Sequence, residues 1–109
     1  MSEDRLQQEC YLWFHNTYPE YRGLLFHVPN GGSRNAREGA KFKAMGVVPG
    51  VADLLFIFDG KLYAFELKTD KGSQSKNQLK WQVIAEIHGV VYEVIRDLTK
   101  FKDLISKII

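Results

Sequence analysis

Apolar residues recur along this chain at two rhythms, and the change of rhythm marks its elements. Between residues 3 and 18, Leu6, Cys10, Trp13 and Phe14 follow one another at three- to four-residue spacing, which predicts a helix with one buried face, ended by Pro19. LLFHV (24–28) reads as a short strand, PNGGSRN (29–35) as a turn-rich connection, and 36–45 as a short basic helix stopping at Gly46. Residues 53–58 and 61–68 are dense apolar strands joined by Asp59-Gly60, the strongest hairpin signal in the chain. Ser75 opens a helix that runs to about His88, with Gly89 at its C-terminal end and Leu79, Val83 and Ile87 as its expected buried stripe. VVYEVI (90–95) predicts a strand, and 97–109 a final helix burying Leu98, Phe101, Leu104, Ile105 and Ile108.

The order is αβ(α)ββαβα. A hairpin, then a crossover helix, then another strand implies a mixed sheet flanked by helices, a three-layered α/β fold. With 109 residues and no repeat, linker or low-complexity tract, one domain over 1–109 is expected. The 45% hydrophobic and 13% aromatic content is enough for a real core. No apolar run approaches the roughly 20 residues needed to span a bilayer, so no membrane association is expected. The N-terminal MSEDRLQQE is too acidic and polar for a signal peptide, which makes the cytoplasm the expected location. Cys10 is the single cysteine, excluding an internal disulfide and any cysteine-based zinc site. His15, His27 and His88 lack ligand spacing, and nothing resembles a Walker loop, a dinucleotide fingerprint or a serine-nucleophile elbow, so no nucleotide cofactor is expected.

The chemistry lies in the hairpin. Glu66 and Lys68 alternate onto the same face of their strand, and Asp53 opens the neighbouring strand across the turn. Two carboxylates brought together at a sheet end repel, and one would hold a proton unless a hard cation neutralises both. Magnesium suits such a pair, because it takes one or two carboxylates and leaves positions for phosphate oxygens. Lys68 would then stand ready to hold a water and to stabilise charge on a scissile phosphate. Glu-x-Lys alone carries little weight; Asp53 thirteen positions before Glu66, with a hairpin between, gives it meaning. The net charge is only +2, yet Arg34, Arg37, Lys41 and Lys43 cluster in one stretch and Lys68, Lys71, Lys76 and Lys80 in another. In the Asn30-Gly31-Gly32-Ser33-Arg34 turn, glycines let backbone amides approach phosphates and arginine forks onto them, which makes Asn30 and Arg34 candidate DNA contacts with Arg37, Lys71 and Lys76. Ser75-Lys76-Asn77-Gln78 is a capping box in sequence.

Four motifs in order, Asn30-Gly31-Gly32-Ser33-Arg34, Gly46 to Asp53 (GVVPGVAD), Glu66-Leu67-Lys68 and Ser75-Lys76-Asn77-Gln78, resemble the VRR-NUC family of the PD-(D/E)xK nucleases. The likeness spans nearly the whole chain. Ala52 departs from it, standing where the family usually has proline, a position that ligates nothing. The resemblance implies a catalytic set of Asp53, Glu66, Lys68 and Gln78. It also implies metal ligation by Asp53, Glu66, the main-chain carbonyl of Leu67, and a first-helix glutamate. Glu9 matches that glutamate best, lying about 40° around the helix from Trp13 at the margin of the apolar face; Glu3 lies nearer the frayed end.

The function so implied is a magnesium-dependent DNA endonuclease, with manganese able to substitute, of the small stand-alone phage type that acts on branched DNA such as four-way (Holliday) junctions. A non-catalytic DNA-binding subunit retaining the fold, or a flap- or nick-directed nuclease, is the alternative. Paired cuts in a junction call for a homodimer. Trp81 and Ala85, off the Leu79–Val83–Ile87 stripe, or the apolar Ile108-Ile109 end, are the expected contact surfaces, with Trp81 packing on the tail helix as the alternative.

Overall fold

Alternation along the strands sorts the side chains into two layers about one sheet. The structure, a computed structural model, describes residues 1–29 and 35–109. Strands β1 (Leu25–His27), β2 (Leu54–Phe58), β3 (Lys61–Leu67) and β4 (Val91–Ile95) lie side by side in chain order. The β1–β2 and β2–β3 pairs are antiparallel, and β3–β4 is parallel. The hairpin closes at Asp59-Gly60, whose φ angles of 50° and 77° are the left-handed pair that a two-residue primed turn requires. Parallel pairing of β3 with β4 needs a crossover, and helix α3 (Lys76–Ile87) supplies it.

On one face, Leu25, Leu54, Phe56, Phe65, Leu67 and Ile95 meet Leu6, Cys10 and Phe14 of helix α1 (Glu3–Thr17) and Phe101 and Ile105 of helix α4 (Leu98–Ile108). Leu98, Leu104 and Ile108 pack at the margin of this core, as the sequence predicts. Phe14 sits edge-on to Phe56, and Phe101 edge-on to Phe65, an aromatic seam that ties both helices to the sheet. On the other face, Ala52, Leu55, Ala64 and Tyr92 form a smaller cluster that Trp81 of α3 covers. The result is three layers, helices–sheet–helix, in the predicted order. Helix α2 (Ala36–Ala44), capped by Asn35, buries none of its residues fully.

The orientation of α3 differs from the sequence expectation. Leu79, Val83 and Ile87 are 47%, 56% and 73% exposed, while Ala85 is buried and Trp81 packs on Tyr92. The helix is turned so that its Trp81–Ala85 side meets the sheet. Polar bonds set that rotation. Ser75 and Gln78 close a reciprocal capping box at the N-terminus, and Gln74 Nε2 donates to Gln82 Oε1 (2.8 Å) and to the Tyr92 hydroxyl (3.1 Å). Trp81 is therefore part of the inner layer, lying against strand β4 and not against the tail helix or a free dimer face. Among the described residues, no helix is long and apolar enough to cross a membrane.

Candidate active site

The face of the sheet that α3 covers is also the face that carries the acids. Leu54 and Phe56 point to α1 and α4, so Asp53 and Leu55 point the other way. On β3, Phe65 and Leu67 point to α1 and α4, while Ala64 and Glu66 point to α3, whose Gln78 reaches Glu66. The register Leu54↔Phe65 sets Asp53 opposite Glu66 at the open end of the hairpin. Asp53 bends across that end, where its Oδ2 accepts a hydrogen bond of 2.8 Å from the Leu67 amide. His27 at the end of β1 holds the same corner, its Nδ1 bonded to the main-chain oxygen of Asp53.

Glu66 is 1% exposed and Lys68 is 7% exposed, the two charged side chains buried among the described residues. The Lys68 ammonium lies 3.6 Å from Glu66 Oε2 and 3.9 Å from Glu3 Oε1. Glu66 Oε2 also accepts 2.8 Å from Gln78 Nε2. Gln78 does this while its Oε1 accepts from the Ser75 amide, also at 2.8 Å, so one side chain both caps α3 and braces the carboxylate. The capping box read from sequence is present, and the same side chain contacts Glu66. The other Glu66 oxygen, Oε1, is buried without a hydrogen-bond partner. Burial pushes the Glu66 carboxyl up from 4.5 to about 8, and neighbouring Asp53 adds to the rise while Lys68 opposes it.

An orphaned buried carboxylate oxygen beside a second carboxylate is a costly arrangement for a protein alone. It fits a hard divalent cation, which would give that oxygen a partner and let both acids ionise together. Among the described residues no group of three or more His, Cys, Asp or Glu is gathered in metal-binding geometry; Asp53 and Glu66 are a pair of carboxylates set side by side by the hairpin. From α1, the structure brings Glu3 to Lys68, whereas Glu9 forms an ion pair of 3.5 Å with Arg5 on its own helix. Ser2 caps α1 and holds its first turn, Glu3 included, in place over the end of β3. Arg37, Lys71 and Lys76 are exposed, and the expected DNA contacts Asn30 and Arg34 lie outside the described residues.

Three positions have structural roles that sequence reading missed. Arg96 follows β4, and the parallel register Leu67↔Ile95 sets it beside the residues after Lys68. Its Nη1 donates to the main-chain oxygens of Thr69 (2.7 Å) and Gly72 (2.8 Å), clamping the loop that leaves β3. Gly50 runs so close to α3 that a β-carbon there would lie 2.2 Å from the Asn77 carbonyl oxygen. The third is Glu3. A cleft of about 630 Å³ opens at Asp53, lined also by Gln78, by Asp4, Gln7 and Gln8 of α1, and by Pro49, Gly50 and Val51.

No protein-family model matches the sequence, nor does any curated protein. Solved structures do match. A structure described as a VRR_NUC domain protein superimposes with a TM-score of 0.80 at 21% identity, covering 100% of this chain and 88% of that one. A second, described as a VRR_NUC domain, gives 0.61 at 19% identity over 95% and 94% of the two chains. The fold is a mixed α/β one, a four-stranded sheet between helices. It is the fold of the VRR_NUC domain.

Proposed function

We propose that the protein is a divalent-metal-dependent endonuclease that hydrolyses phosphodiester bonds in DNA, selects branched substrates such as four-way junctions, and works as a homodimer. The observation that carries the reading is the pairing of Asp53 with a buried, half-orphaned Glu66, 3.6 Å from a buried lysine, on this fold. Asp53 and Glu66 would hold magnesium, with manganese as a substitute, and the Leu67 carbonyl and a carboxylate of α1 would lie nearest to complete the set. When bound, the ion supplies neutralising charge and the Lewis acidity that phosphodiester displacement needs.

The chain's own residues do the rest. Gln78 fixes the Glu66 carboxylate in one rotamer, so the acid pair is preorganised. Lys68 keeps its ammonium at the acid pair with little solvent around it, where it orients a water or donates to the phosphate as negative charge accumulates. The exposed Arg37, Lys71 and Lys76 are the cations proposed to contact DNA phosphates, as are Asn30 and Arg34 from the sequence motif. Two-fold pairing would present two sites to a nearly two-fold substrate. With Trp81 in the inner layer, the exposed Leu79, Val83, Ile84 and Ile87 of α3 offer an apolar surface to a second copy. Incubation with four-way junction, flap, nicked and linear duplex DNA, each with magnesium or manganese, tests the proposal. Paired cuts in the junction are expected. Failure to cleave any DNA with either metal would refute it.

A further inference from the structure

A second cavity, of about 640 Å³, lies between α1 and β1 and is built differently from the cleft at Asp53. Its walls are Tyr11, Leu12, Leu25, Phe26 and Leu54, with the backbone of Gly23 at one end. It is mostly apolar, and the Tyr11 ring at its rim is exposed and stacked against His15 at 5.7 Å. Gln7, Gln8 and His27 line both cavities, so the groove and the cleft are continuous across three polar side chains.

That continuity limits what the groove can hold. An occupant that spans both would present a largely apolar body, suited to the Tyr11 ring at the rim, while joined to the phosphodiester proposed to sit at Asp53. The joint must cross a polar threshold of two amides and an imidazole. An unpaired nucleotide meets all three conditions: its base offers a face for stacking, its edges can bond to Gln7 and Gln8, and its backbone stays in the cleft. A base within an intact duplex must first be unstacked and unpaired to enter, a cost that an already unpaired base avoids. We propose that the α1–β1 groove is a nucleobase subsite that receives an unstacked nucleotide next to the scissile phosphate. This rests on the nuclease reading above and gives it a physical basis for preferring branched to continuous DNA.

The test is equilibrium binding of the wild-type chain, without divalent metal so that no cleavage intervenes. Two labelled duplexes are compared, identical except that one carries a single unpaired 2-aminopurine nucleotide. Wild type should bind the bulged duplex more tightly and quench its 2-aminopurine emission. Tyr11→Ala should weaken binding of the bulged duplex roughly tenfold, as loss of one base–aromatic stack does, and leave the continuous duplex within twofold. Tyr11→Phe should restore the difference, and Leu12→Ser, at a second exposed wall position, should lower it. Equal loss on both duplexes, or no quenching, overturns the subsite while the nuclease reading stands. Failure of wild type to bind either DNA overturns both.

Discussion

At the scale of single residues, the site is an acid whose protonation is set first by burial and then by its neighbours Asp53 and Lys68. Glu66 titrates near 4.5 when the chain is unfolded and about 8 when it is folded. The folded protein therefore binds that proton more tightly. Its full benefit is present below about pH 4.5 and is lost as pH rises through 8. With a chelator present, stability to urea should fall across pH 5 to 8 by an amount on the order of a few kcal/mol. Glu66→Gln should flatten that fall, and a slope unchanged in the variant would show that another group is responsible. Lys68→Met tests the other partner. It should leave manganese binding, read by calorimetry, within a few-fold of wild type and lower cleavage at saturating metal by at least about 100-fold. Lost metal affinity with a surviving rate would reverse the role assigned to Lys68.

At the scale of elements, the site depends on how β2, β3, α3 and the loop after β3 are fastened to one another. Arg96→Ala removes the clamp on the Thr69 and Gly72 carbonyls, in front of which Lys68 and Glu3 meet. The loop should become sensitive to proteolysis, and kcat should fall more than KM rises, with Arg96→Lys restoring only part because a lysine cannot fork. A KM effect alone would make Arg96 a substrate contact. Much of this level was legible in advance. The strands, the Asp59-Gly60 turn and the Ser75–Gln78 box depend on local chemistry, and each lies where the sequence predicts. The face of α3 was not legible. Its apolar residues are spread around the axis, so spacing alone favoured Leu79, Val83 and Ile87, while the rotation is set by Gln74, Gln78 and Gln82 bonding across the fold. The same limit hid Arg96, which meets the loop after Lys68 only through the parallel β3–β4 pairing, and left Glu3 second to Glu9, since only the packing of α1 on the sheet brings it to Lys68.

At the scale of the whole molecule, the proposed dimer and the rotation of α3 make opposite demands on two neighbouring positions. Val83→Glu on the exposed side should leave melting temperature nearly unchanged and shift light scattering from dimer to monomer. Trp81→Glu places a charge against Tyr92 and should destabilise the fold by about 2 kcal/mol or more, whatever the assembly state. Wild type that scatters as a monomer yet makes paired junction cuts would refute the dimer. Another whole-molecule consequence follows from Gly50, where two segments 27 positions apart touch backbone to backbone and φ is +91°. Gly50→Ala should cost on the order of 2–4 kcal/mol in thermal unfolding, since both the left-handed backbone and the contact with Asn77 are violated. In a saturation-mutagenesis screen scored only by cleavage, Gly50 would tolerate nothing and look like an active-site residue beside Glu66. A parallel screen for abundance would separate them: Glu66 variants would accumulate without function, and Gly50 variants would be depleted from the folded pool.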